Sequence, residues 1–147
     1  MKINKVLFVC VHNSGRSQMA EALLTQLGGE NFLAESAGLS PGNLNPIVVA
    51  AMKELNIDIS ENSTKSVFDL LKQGKEFDYV ITVCDETSGE KCPLFPGKGI
   101  RFHWNFDDPS QFQGSYDEKL EKTRIVRDRI KSRIEQFLTG CSKNHHK

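Results

Sequence analysis

The sequence predicts a single-domain, doubly wound α/β fold, with a four-stranded parallel sheet flanked by helices. Apolar segments that read as strands alternate along the chain with amphipathic segments that read as helices. The clearest strand segments are continuous apolar runs, the pattern of strands buried on both faces. The length, 147 residues, suits one domain with one core, and no internal repeat or low-complexity block interrupts it.

The first strand is Val6 to Cys10, inside the run Lys5-Val6-Leu7-Phe8-Val9-Cys10. The helix after it spans Ser17 to Leu27, places Ala20, Leu23, Leu24 and Leu27 on one face, and stops at Gly28-Gly29. Phe32 to Gly38 reads as the second strand. Asn45 then caps a helix with Pro46 at its first position, carrying Ile47, Val48, Ala50, Ala51 and Leu55. A short helix follows from Ser66 to Lys72 and ends at Gly74. Asp78 to Cys84 is the third strand and Ile100 to Trp104 the fourth. The last helix runs from Tyr116 to Leu138, with Leu120, Val126, Ile130, Ile134 and Phe137 at helical spacing. The domain is therefore expected to occupy residues 1–138. Residues 139–147 are expected to form a frayed polar tail, with Cys141 an exposed, unpaired thiol and His145 and His146 solvated.

Composition excludes several function classes. Nineteen basic residues balance 19 acidic ones, which removes any global electrostatic case for nucleic acid or anionic membrane. The apolar run near Met1 is too short for a signal peptide, and no stretch reaches membrane-spanning length. A soluble cytoplasmic protein is expected. In that reducing compartment the four cysteines suggest reactive thiols or a metal site before structural disulfides.

The chemistry concentrates in Cys10-Val11-His12-Asn13-Ser14-Gly15-Arg16-Ser17. A strand delivers a thiol, a short loop wraps around it, and a helix N-terminus points back at it. Loop amides and the helix dipole favour an anion there, and Arg16 offers a planar fork for two of its oxygens. The same positive field favours the ionised form of Cys10. The candidate oxyanion-binding residues are thus Val11, His12, Asn13, Ser14, Gly15, Arg16 and Ser17, with Cys10 as nucleophile. In a doubly wound fold ligands bind at the C-terminal ends of strands, so Cys10 and Cys84 share one rim.

Cys84 and Cys92 bracket a segment without large apolar side chains, so Cys92 approaching Cys84, and Cys84 approaching Cys10, requires backbone movement. The competing readings are inert thiols and zinc. Seven residues separate Cys84 from Cys92, unlike the paired knuckles of zinc sites, so no metal is expected. Gly15 leaves the loop without a second cysteine, so a disulfide that resolves Cys10 must come from elsewhere. His103-Trp104-Asn105-Phe106-Asp107-Asp108-Pro109 supplies a carboxylic acid to protonate a leaving oxygen. Asp108 is favoured because Pro109 fixes the chain beside it. Asp107 is the alternative, and a turn-forming Asp-Asp-Pro the plainer reading.

Together the anion loop extended to Glu21, Glu35-Ser36-Ala37-Gly38, the Cys84 to Cys92-Pro93 segment and the His103–Pro109 loop resemble the thioredoxin-coupled arsenate reductases of the low-molecular-weight protein tyrosine phosphatase fold. The resemblance covers about Ile3 to Leu138. It implies reduction of arsenate to arsenite, with phosphate or sulfate as competing oxyanions and thioredoxin as partner. Cys10 would attack arsenate held by Arg16 while Asp108 protonates the departing oxygen. Cys84 would then resolve Cys10, and Cys92 would move the disulfide to Cys84–Cys92. Ser17 matches the position whose hydroxyl supports the Cys10 thiolate. Some relatives also bind potassium. Asn13, Glu21 and Ser36 match three of its ligands but Lys65 stands at the fourth, so no potassium site is expected. His12 replaces a glycine common in relatives. The chain shows no dinucleotide fingerprint, and no cofactor of its own is expected. The rival readings are a low-molecular-weight tyrosine phosphatase and a non-catalytic oxyanion- or arsenite-binding module. Ser110 after Pro109, where such phosphatases typically carry tyrosine, favours reduction.

Overall fold

A computed structural model describes residues 3–83 and 99–145. Four strands, β1 (Asn4–Cys10), β2 (Phe32–Gly38), β3 (Tyr79–Thr82) and β4 (Ile100–His103), form one sheet in the order β2-β1-β3-β4. Every pairing is parallel. The helices between them are α1 (Arg16–Gly28), α2 (Pro46–Lys53), α3 (Val67–Lys72) and α4 (Tyr116–His145).

β1 explains the two-sided core. Its side chains alternate, so Val6, Phe8 and Cys10 enter the larger cluster with Leu23 and Leu24 of α1, Val48 and Met52 of α2, and Ile130 and Ile134 of α4. Leu7 and Val9 enter the smaller one with Val67 and Leu70 of α3, together with Phe77 and Val80. The continuous apolar run is thus the signature of a central strand covered on both faces. β2 lies on one side of β1 and β3 on the other, so the chain reverses its winding direction at β1. The C-terminal end of β1, where Cys10 sits, is that switch point, the place where folds of this class bind their ligands.

Local signals place the helices. The Asn45 side chain accepts from Ile47 N at 2.9 Å, with Pro46 at the first helical position. Ser66 caps α3 by accepting from Phe68 N at 3.2 Å. Glu54, the C-cap of α2, accepts from Arg124 Nη2 at 2.6 Å and Arg127 Nη1 at 2.8 Å, which fastens α2 to α4. No helix among the described residues is long and apolar enough to cross a membrane.

Three expectations are corrected. Leu27 is 37% exposed, because Met19 rather than Leu27 completes the buried stripe of α1 with Ala20, Leu23 and Leu24. β4 is an edge strand with exposed residues throughout, and strand structure stops at His103, although Trp104 N still donates to Thr82 O at 2.7 Å. The expected frayed tail is instead helical to His145. Ile130, Ile134, Phe137 and Cys141 continue one apolar stripe, so Cys141 is 8% exposed, with its thiol 3.8 Å from Tyr79 Oη.

Candidate active site

The loop between β1 and α1 is held from outside by its carbonyls. Leu39 N donates to Cys10 O at 3.1 Å, Ser40 N to Val11 O at 2.7 Å and Gly42 N to His12 O at 3.0 Å. Asn45 N donates to Ser14 O at 2.9 Å and Met19 N to Gly15 O at 2.9 Å, while Gln18 Nε2 donates to Asn13 O at 3.1 Å. In a trans peptide the N–H points away from the C=O, so anchoring the carbonyls outward turns the amides of Val11 to Arg16 inward. The inward Asn13 N–H donates to Cys10 Sγ at 3.1 Å. Asn13 takes a left-handed conformation, φ 55°, to close this loop. Gly15, the N-cap of α1, gives the helix no side-chain cap. The first-turn amides are therefore left for an anion.

Cys10 is 2% exposed and its sulfur lies 2.8 Å from Ser17 Oγ. Asn13 Nδ2 donates to that same hydroxyl oxygen at 2.8 Å, which leaves the hydroxyl proton available to the sulfur. A thiolate at Cys10 would receive two hydrogen bonds, from Ser17 Oγ and Asn13 N. A packed core thiol requires neither contact, and both suit a thiol that reacts as its anion.

Arg16 is buried, and its Nη1 donates to Phe106 O at 3.1 Å. Its Nη2 lies 3.4 Å from Asp108 Oδ2. The other oxygen of Asp108 accepts from Ser110 N at 2.9 Å and Ser110 Oγ at 2.8 Å, capping a 3-10 turn at Pro109–Gln111. The turn-forming and acid readings of Asp108 are thus compatible: one oxygen builds the turn and the other is set beside the anion loop. Asp107 is exposed. His12 is exposed too, with Nδ1 2.9 Å from Ser40 O.

Behind the loop, Asn13 Nδ2 also donates to Ser36 Oγ at 3.0 Å, and Ser36 Oγ donates to Glu21 Oε1 at 2.7 Å. Burial pushes the Glu21 carboxyl above its ordinary value, against the Ser36 hydrogen bond and the nearby Lys65 charge, which pull it down. The Lys65 ammonium is 4.0 Å from Glu35 Oε1, which also pairs with Lys75 at 2.9 Å. These residues do not fit a potassium ion. Asn13 Oδ1 already accepts from Lys65 N at 3.0 Å and from Gln18 Nε2 at 3.2 Å, so both lone pairs are engaged.

Cys10, Arg16, Ser17 and Asp108 are therefore brought together, with Val11 to Gly15 as the cradle. Cys84 and Cys92 lie outside the described residues. The chain does reach Val83, whose N–H donates to Val9 O at 2.8 Å, one residue before Cys10. Two contributors escaped the sequence reading. Gly38 carries the β2 end against the loop so closely that a Cβ there would lie 2.8 Å from Val11 O and 2.9 Å from Asn13 N. Gln18 is the other. Its place, the third residue of α1, is where capping-box residues reach back over the helix start, and that was the available signal.

A profile of the low molecular weight phosphotyrosine protein phosphatase family matches residues 5–147. An arsenate reductase of Bacillus subtilis is 42% identical over 137 residues, covering 91% of this chain and 95% of that protein. The solved structure of an arsenate reductase in the phosphate binding state superposes with a TM-score of 0.77 at 33% identity, over 95% of this chain and 98% of the other. A thioredoxin-dependent arsenate reductase of Corynebacterium glutamicum gives a TM-score of 0.70 at 28% identity, over 98% of this chain and 64% of the other.

Proposed function

We propose that this chain, which belongs to the low molecular weight phosphotyrosine protein phosphatase family, is an enzyme that reduces arsenate to arsenite. The observation that carries the reading is the Cys10 sulfur, 2.8 Å from Ser17 Oγ and 3.1 Å from Asn13 N, inside a loop whose amides turn inward. A tetrahedral oxyanion seated there would meet the loop amides and Arg16, with its arsenic within reach of the sulfur.

The Cys10 thiolate attacks arsenic, and Asp108 protonates the oxygen that leaves as water. The Cys84 thiolate then attacks the Cys10 sulfur. A sulfur–sulfur bond forms, the sulfur–arsenic bond breaks, and its electron pair stays on arsenic, which departs as arsenite. Cys92 attacks Cys84, frees Cys10 as thiolate and leaves a Cys84–Cys92 disulfide. Two electrons from the thioredoxin dithiol restore that pair. Thioredoxin is favoured by the likeness to the thioredoxin-dependent relative, and the cytoplasm by the need for reduced thiols.

The deciding experiment maps cysteine linkages by peptide mass spectrometry after one turnover with arsenate. A Cys10–Cys84 or Cys84–Cys92 bond is expected. Cys84→Ser should abolish multiple turnover yet spare slow aryl-phosphate hydrolysis, which needs only the loop. Remote thiols left free after arsenite has formed, or equal loss of both activities, would overturn the relay.

A further inference from the structure

We infer that Gln18 is a positioning residue for Cys10, the last link in a chain of amides that fixes which donor faces the sulfur. The inference rests on reading Cys10 as the nucleophile of this site. Gln18 is 1% exposed, and both polar atoms of its side chain are engaged. Asn62 Nδ2 donates to Gln18 Oε1 at 3.1 Å, and the main-chain carbonyls of Asn13 and Ser63, which can only accept, set the Gln18 amide so that its nitrogen faces the loop. That nitrogen donates to Asn13 O at 3.1 Å, to Asn13 Oδ1 at 3.2 Å and to Ser63 O at 3.3 Å.

The consequence lies in how a carboxamide can turn. An asparagine side chain is nearly symmetric in shape, and only its partners decide which end is oxygen. With two donors, Gln18 Nε2 and Lys65 N, aimed at Asn13 Oδ1, the Asn13 nitrogen must face Ser17 and Ser36. Asn13 Nδ2 then donates to Ser17 Oγ at 2.8 Å, and the serine proton is free to go to Cys10. Turned over, Asn13 would present an oxygen to Ser17, capture that proton and leave the sulfur with one donor fewer. Gln18 also takes up Asn13 O, which keeps the strained Asn13 backbone in its left-handed form and its N–H on the sulfur.

The test reads Cys10 without arsenate. In the full chain bearing Cys84→Ser, Cys92→Ser and Cys141→Ser, iodoacetamide reports a single thiol. Its rate is compared at about pH 6 and about pH 9.5, where a thiol is ionised with or without help. Gln18→Met, which keeps the length and removes both amide groups, should slow alkylation about fivefold at the lower pH and leave it nearly unchanged at the higher. Gln18→Glu keeps the Asn62 acceptor but brings a negative charge and no donor, so it should be slower still at the lower pH. Asn62→Leu, at an exposed position that leaves the core intact, should slow it about twofold. Equal rates in folded Gln18→Met and its parent, or equal slowing at both pH values, would reduce Gln18 to a packing residue and overturn the inference. If Gln18→Met does not fold, Asn62→Leu decides by the same criterion. A protein that shows these contrasts yet fails to reduce arsenate would refute the proposed activity and leave the role of Gln18 standing.

Discussion

Replacing Gly38 by alanine adds one methyl group at the tightest backbone approach to the anion loop. The new Cβ would lie 2.8 Å from Val11 O, 2.9 Å from Asn13 N and 2.9 Å from His12 C, all main-chain atoms that no rotamer change can move. Gly38 is not among the glycines with positive φ, so the cost is purely steric. Restoring ordinary contact means displacing the loop or the end of β2 by roughly half an ångström, and overpacking of this kind costs about 1–3 kcal/mol. Asn13 N is also the donor 3.1 Å from the Cys10 sulfur, so the shift reaches that sulfur. A misplacement of about 1 Å costs on the order of a hundredfold in rate, so a loss of at least about tenfold in kcat/KM is expected here. Urea unfolding gives the stability term, and steady-state arsenate reduction gives the rate. A Gly38→Ala protein within about 0.5 kcal/mol and about twofold of the parent would mean that the strand end does not set the loop.

Other perturbations test separate parts of the account. Ser17→Ala removes the hydroxyl 2.8 Å from the sulfur, and a hydrogen bond to a charged group is worth about 1.5–3 kcal/mol, so single-turnover arsenate reduction near neutral pH should fall about ten- to hundredfold. Glu54 is held down to about 2 by hydrogen bonds from Arg124 and Arg127, so it stabilises the fold above its ordinary value near 4.5 and loses that contribution as pH falls towards 2. Glu54→Gln should lower stability at neutral pH and flatten the acid limb of a pH series of urea titrations, an effect that salt weakens because the site is exposed. Truncation after Leu138 removes the buried Cys141 and should cost on the order of 1–2 kcal/mol by thermal unfolding, whereas a frayed tail would cost nothing measurable.

The sequence displayed the fold where one residue type had one use. Phe32 to Gly38 matched β2 from end to end, and Asn45-Pro46 announced its helix by capping chemistry that needs no tertiary information. The loop that gathers Cys10, Arg16 and Ser17 stood out because packing alone seldom calls for a thiol and an arginine at the two ends of one short strand-to-helix loop. Features that depend on what lies opposite were harder to see. Met19 and Leu27 lie on the same face of α1, yet Met19 is buried and Leu27, in the last turn, is 37% exposed, a difference that helical spacing alone does not carry. The residues after Leu138 read as a polar tail, yet Cys141 sits in step with Phe137 and packs towards Tyr79. Lys65 illustrates the limit well. The sequence places it at the fourth potassium-ligand position but does not show that its backbone N–H is what contacts Asn13 while its charge lies near Glu35 and Glu21.

The uncapped start of α1 has a consequence for how the protein behaves in solution. A helix whose opening turn awaits its partner is completed by whatever oxyanion arrives, so guest and scaffold share one free energy. Occupancy at a hundred times the dissociation constant would raise resistance to unfolding by about 2.7 kcal/mol. Phosphate or sulfate in the medium would then act as a folding ligand as well as a competitor, and melting curves recorded in such buffers would report the occupied cradle.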